Sequence, residues 1–207
     1  MRSGRSSLIS GSQTLVVGLV VACVVMPASA QQQASQVRIH AAAEFVRWAH
    51  GAGAYSLEHP VDWETHEQGL RTNIGSKDGL VPTGRGYRTI YGVILAVVDD
   101  PLAGAPDRTL AASSQAVFEG IVKRNAHLSV KSPIAPTEPL AGGQAYRAVA
   151  GGISPVTGHA ERAEVICREV DAGHLLYMIL ACPEAECSEL GTTFRRMRES
   201  LKVPAAK

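Results

Sequence analysis

Cys182 and Cys187 sit in the stretch ACPEAEC with four residues between them. Paired cysteines support three chemistries: zinc ligation, dithiol redox exchange and a structural disulfide. A structural zinc site needs a second matching pair of ligands. Here only His159 or His174, in a neighbouring hairpin, could complete one, and no second cysteine pair exists. Thioredoxin-like exchange needs C-x-x-C, which this is not. The remaining reading is architectural. Cys182 ends an expected strand and Cys187 lies in the first turn of the helix that follows. That turn can bring the two Cα atoms within the ~4.4–6.8 Å a disulfide requires. A disulfide and two packed apolar thiols both stay open at this point.

Other candidate chemistry is thin. Cys167 faces Ala163 and Val165 along a strand and pairs with Tyr177 across a hairpin, which makes it a buried free thiol of the core. No G-x-S-x-G nucleophile elbow occurs. The histidines, at 40, 50, 59, 66, 127, 159 and 174, are scattered over expected loops and strand ends, where surface positions are the default. Glycines 84, 86, 142, 143, 151 and 152 read as turn glycines. A phosphate loop would need a helix after it, and a strand follows instead. Asp99 and Asp100 follow a strand and precede Pro101, so they read as turn-forming acids. The sequence assigns no catalytic residue, no cofactor and no metal ligand.

The first thirty residues do not read as part of the fold. Arg2 and Arg5 precede an apolar run over residues 15–26, and Ala28-Ser29-Ala30 is a small-x-small cleavage site. That is the order of a secretory signal peptide. The run is too short for a membrane span, which takes ~20 residues. Val20-Val21-Ala22-Cys23 also resembles a bacterial lipobox, which would place a lipid anchor on Cys23, although the residues after it stay apolar. The whole chain holds 20 Lys and Arg against 19 Asp and Glu; without Arg2 and Arg5 the balance is 18 against 19. Nothing in that balance attracts nucleic acid or anionic lipid. Three cysteines follow the leader, and an exported chain can oxidise them.

The elements that must position these residues follow from periodicity. Residues 31–53 form a lead-in, with Phe45, Trp48, Ala49 and Ala52 at helical spacing. The domain proper runs over residues 54–203, with 204–207 as a tail. Alternation around Tyr55 and Leu57 predicts a strand, and Trp63 starts another. Residues 72–86 read as loop around a weak strand at 70–74. Residues 90–98 and the HLLYMILA run at 174–181 are apolar on both faces, as central strands are. Asp107 or Thr109 can cap a helix whose apolar face includes Leu110, Val117, Phe118 and Ile121, and Asn125 suits its end. HLSVKSP reads as a strand and IAPTEPLAGG as a Pro/Gly-rich connection. A three-strand meander follows. The final helix is expected from about 183 to 201, with Pro183 first and Leu190, Phe194, Met197 and Leu201 on one stripe. Tight turns make the sheet largely antiparallel. Two doubly apolar strands need cover on both faces, which predicts an α/β (α+β) three-layer sandwich.

At this point YSLEHPVDWE, GGQAYRAV and the closing ACPEAECSELGTTFRRMRESLKV resemble the PsbP-like domain family, over residues 54–203. SPVTGHAE and PEAE are also similar to the extension that follows some exported zinc metallopeptidase domains. Those enzymes carry H-E-x-x-H. Here His66-Glu67 is followed by Leu70 where the second histidine would stand, so the peptidase activity does not carry over. The resemblance implies an α/β/α sandwich and a non-catalytic binding or assembly accessory, working on an envelope protein after export to the periplasm or beyond. The alternatives are an enzyme with a hydrolase-like site assembled from loops, and a lipid-anchored envelope lipoprotein carrying the same domain. N-terminal sequencing of the protein from its native host should begin at Gln31. A blocked, lipidated Cys23 would establish the lipoprotein, and an intact Met1 would contradict both.

Overall fold

A computed structural model describes residues 41–84 and 86–204; the expected signal peptide and Cys23 lie outside the described residues. In chain order the elements are β1 (Phe45–Ala49), β2 (Ser56–Pro60), β3 (Trp63–Gln68), β4 (Arg71–Ser76), β5 (Leu80–Thr83), β6 (Gly86–Thr89), β7 (Gly92–Asp99), α1 (Leu110–Arg124), β8 (Leu128–Leu140), β9 (Gly143–Ile153), β10 (Ala160–Asp171), β11 (His174–Pro183) and α2 (Cys187–Ser200). Seven strands form one antiparallel sheet in the order β3-β4-β7-β11-β10-β9-β8. The two doubly apolar runs, β7 and β11, are neighbours near its middle, in register from His174↔Asp99 to Ala181↔Gly92.

Alternation along β11 sends side chains into two cores. Leu175, Tyr177 and Ile179 meet Val117, Phe118 and Ile121 of α1. Leu176, Met178 and Leu180 meet Leu190, Phe194 and Met197 of α2. The helices therefore cover opposite faces, and the three-layer α/β/α sandwich is the observed architecture. Helix α1 begins where Thr109 Oγ1 accepts from the Ala112 N–H at 3.1 Å. It ends at Asn125, whose side chain donates to the Ile121 carbonyl at 2.8 Å. Gly92 sits at φ 140°, and a Cβ there would stand 2.3 Å from the Ile74 carbonyl oxygen. The close approach of the start of β7 to the end of its neighbour β4 requires that glycine.

Several expectations are corrected. Residues 45–49 form strand β1, not a helix, because β2 offers a full antiparallel partner from Phe45↔Pro60 to Ala49↔Ser56. Phe45 and Trp48 pack on the same core as α2, so this segment belongs to the domain rather than leading into it. The Pro/Gly-rich connection is strand. It continues β8 to Leu140, making a four-strand meander, with register shifts after Val130, Ser132 and Thr137. Prolines 133, 136 and 139 are tolerated because β8 is the sheet edge and irregular. The expected loop after β4 holds the short hairpin β5–β6, which lies over β3 with Tyr87 stacked on His66, ring centroids 3.8 Å apart. The last helix starts later than expected. Pro183 still belongs to β11, and a single 3-10 turn, Glu184–Glu186, precedes α2.

Asp100 is also more than a turn residue. Asp99 is exposed, but Asp100 is buried and accepts from the Leu102 N–H at 2.8 Å, the Ser113 hydroxyl at 3.0 Å and the Arg108 guanidinium. Arg108 reaches on to Glu169 at 2.7 Å, so this knot ties the end of β7 to the start of α1 and to β10. Burial alone would raise the Asp100 carboxyl. The three donors together outweigh it and hold it below the usual carboxylate range. The folded state therefore binds that proton less readily than the unfolded chain. The stabilisation is complete above the unfolded value of ~3.9 and is lost as pH falls through the folded value. Asp100→Ala should lower stability at neutral pH by about 1.5–3 kcal/mol. Chemical denaturation of Asp100→Asn against pH should show a flatter fall below about pH 5 than the parent chain.

Candidate functional site

The seven-stranded sheet is wider than its cover. Helix α1 packs over β8, β9 and β10 on one face, while α2 packs on β11 and β2 on the other. Beyond α2, the second face of β10 is left as the floor of a groove of about 1100 Å³, and that of β9 lines a smaller hollow beside it. The sequence of β10 provides for this by alternation. Ala163, Val165 and Cys167 point into the α1 core. Arg162 and Glu164, opposite Gly151 and Val149 of β9, line the open side.

Leu180, Cys182, Phe194 and Leu201 make the apolar bottom of the groove. One wall is α2, through Ser188, Gly191, Arg195 and Arg198. The other is the turn between β8 and β9, where Ala141 and Gly142 take positive φ of 47° and 78°. Arg168 fixes that turn by donating to the carbonyls of Leu140 at 3.3 Å and Ala141 at 2.8 Å, and burial lowers its pKa below the ordinary arginine value. At one end Arg198 donates to the Glu138 carbonyl at 2.8 Å and links α2 to β8. Just beyond the floor Arg147 pairs with Glu164 at 2.7 Å, and its pKa is raised mainly by that hydrogen bond. A smaller hollow of about 160 Å³ shares Arg162 and Glu184 with the groove and extends it past Lys131.

Gly191 is an interior glycine of α2 that sequence reasoning passed over. Such a residue costs a helix about 1 kcal/mol relative to alanine. A Cβ at this position would meet nothing within 4 Å, so packing does not demand the glycine. What it does is leave the groove wall bare. The other missed signal was the charged side of the alternating AERAEVIC strand, where Arg162 and Glu164 share one face.

The fold comparison follows from this geometry. The solution structure of cyanobacterial PsbP (CyanoP) from Synechocystis sp. PCC 6803 superposes with a TM-score of 0.54 at 11% identity, over 78% of this chain and 94% of that one. The fold is PsbP-like. LpqN of Mycobacterium tuberculosis, described as involved in cell envelope biogenesis, superposes with a TM-score of 0.48 at 14% identity, over 78% of this chain and 91% of that one. No family model and no curated protein matches the sequence.

Within this PsbP-like frame the expected chemical residues are dispersed. Cys182 and Cys187 are joined by a disulfide, with Cα atoms 5.3 Å apart, and the bridge fastens the end of β11 to the first turn of α2 in the groove wall. His174 starts β11, whereas Cys182 nearly ends it, so the two stand roughly 25 Å apart. Among the described residues no group of three or more His, Cys, Asp or Glu is placed to hold a metal ion. Cys167 is fully buried on the α1 side, and burial pushes its thiol up to about 12, far from a reactive thiolate.

Among the described residues two histidines depart from the surface default. His50 is buried, takes the Ala52 N–H on Nδ1 and donates from Nε2 to the Gly69 carbonyl at 2.9 Å. His59 is buried too, and desolvation lowers its pKa against the opposing bond from Nδ1 to the Pro60 carbonyl. His127 pairs with Glu161 at 2.6 Å, but the nearby Ser129 hydroxyl donates to the Gly151 carbonyl instead. None of these side chains lines the groove. Thiol titration in denaturant without reductant should find one free thiol per chain beginning at Gln31; three would show Cys182 and Cys187 reduced. Replacing both with serine should cost about 2–3 kcal/mol, as expected for so short a closed loop.

Proposed function

We propose that this is an exported, non-catalytic accessory domain that docks a segment of a cell-envelope protein in the groove between α2 and the β8–β10 end of the sheet. The observation that carries the reading is the groove itself, with an apolar bottom, a charged rim and a helix wall kept bare by Gly191. An apolar centre ringed by polar and charged groups is the ordinary anatomy of a protein-binding surface. At about 1100 Å³ the space lies above the usual ~300–1,000 Å³ of small-molecule pockets. Export rests on the leader at residues 1–30. Among the described residues no helix is long and apolar enough to cross a membrane.

Gly191→Trp tests the reading without disturbing the core, since the new side chain enters open space and the helix gains propensity. Affinity capture from an envelope extract of the native host should retain a discrete partner on the parent domain and lose at least about tenfold of it on Gly191→Trp. The melting temperature of the variant should be equal or higher. Equal retention by both proteins would remove the groove from the function.

A further inference from the structure

We propose that the groove is selective for an extended acidic peptide segment that carries at least one apolar side chain, an inference that rests on the docking role just proposed. The argument is one of charge placement. Along the groove and its extension six cations face four carboxylates. The chain from Gln31 onward is balanced, so this excess is local rather than a general basicity.

Pairing sharpens it. Glu164 is held by Arg147 at 2.7 Å, which leaves Arg162 only a 3.7 Å contact to an oxygen that Arg147 already binds at 2.9 Å. Glu138 is engaged by Arg198. Lys131, Arg195 and Lys202 have no ion-pair partner among the described residues, and against them stand only Glu184 and Glu199. Cations without partners around a recessed surface favour carboxylates delivered from outside, and low-dielectric walls strengthen that attraction.

The bottom of the groove narrows the class. Ala141 and Val203, with the exposed edges of the otherwise buried Leu180, Phe194 and Leu201, offer an apolar seat that a phosphodiester backbone or a bare polyanion would leave unmatched. A peptide supplies both carboxylates and an apolar anchor. Strand addition to β8 is a poor alternative mode, because Pro133, Pro136 and Pro139 deprive that edge of donors. Recognition therefore runs through side chains of β10 and α2, with Gly191 allowing the ligand backbone close to the helix.

Fluorescence anisotropy on the full mature chain tests this, with labelled peptides of about ten residues. One is rich in Asp and Glu around a central leucine, one carries serine in place of that leucine, and one carries Lys and Arg in place of the acids. Vesicles of phosphatidylglycerol serve as a second anionic surface. The acidic leucine peptide should bind, weaken steeply as salt shortens the screening length, and lose at least about tenfold of its affinity with Arg162→Glu plus Arg195→Glu. The serine peptide should bind more weakly and the basic peptide should not bind. Binding of the basic peptide as strongly as the acidic one, or acidic binding unchanged by the double reversal, would overturn the proposal. So would binding to vesicles but to no peptide. Acidic binding that survives Gly191→Trp would place the site elsewhere and remove the groove reading with it. Failure of the peptides while Gly191→Trp still abolishes capture of the envelope partner would overturn the acidic class alone.

Discussion

The pairing of β7 with β11 is the constraint from which the remaining architecture follows. Both strands are apolar on both faces and lie side by side, so water must be excluded above and below them at once. A helix is ~10 Å across and strands are ~4.8 Å apart, so one helix covers about two strands. Seven strands exceed what one helix per face can hide. The chain solves this with offset layers. On one face α1 lies over β8–β10, and the β5–β6 hairpin, through the Tyr87–His66 stack, covers β3. On the other, α2 and the β1–β2 hairpin cover the middle, with Arg196 seated over the Phe45 ring at 4.1 Å. The uncovered part of that face falls where β10 and β9 carry charge.

How much of this the sequence disclosed depends on which force set each element. Strands β7 and β11 and helix α1 were legible because burial and period coincide: continuous apolar runs in the strands, and a capped 3.6-residue stripe in the helix. Strand β1 was not, because Phe45 and Trp48 are themselves the inward residues and their i, i+3 spacing imitates a helix. Only the distant partner β2 decides it. The first part of β8 was read as a strand, but its continuation to Leu140 was hidden by prolines, which argue against a central strand but not against an irregular edge. The candidate residues were readable as scattered along the chain, but the burial of three of them was not. His50, His59 and Asp100 are buried, because nearby backbone groups and Arg108 satisfy them, and a single sequence does not reveal such partners.

The groove was the least legible part, although its components are in plain view. Arg162 and Glu164 alternate with core residues in β10, Gly191 interrupts a helix that has better residues available, and Cys182–Cys187 anchors the helix at the groove wall. Each has a bland reading alone. They acquire a common one only when the offset of α2 from the sheet edge brings them to the same cavity. The helix is held in place from three directions. The disulfide holds its start, Phe194 and Met197 its middle, and a bridge from Ser56 to Lys202 the chain two residues past its end. A wall fixed in this way can keep an open cleft without closing into it.

The central claim is that the open face of the sheet, and not the α1 face, meets the partner. Site-specific photo-crosslinking in the native host tests it most directly. A benzophenone amino acid at position 191 reports on the groove, and one at the exposed Glu119 of α1 reports on the opposite face. The account predicts a discrete protein adduct from position 191 and none from position 119. An adduct from 119 with none from 191 would contradict it.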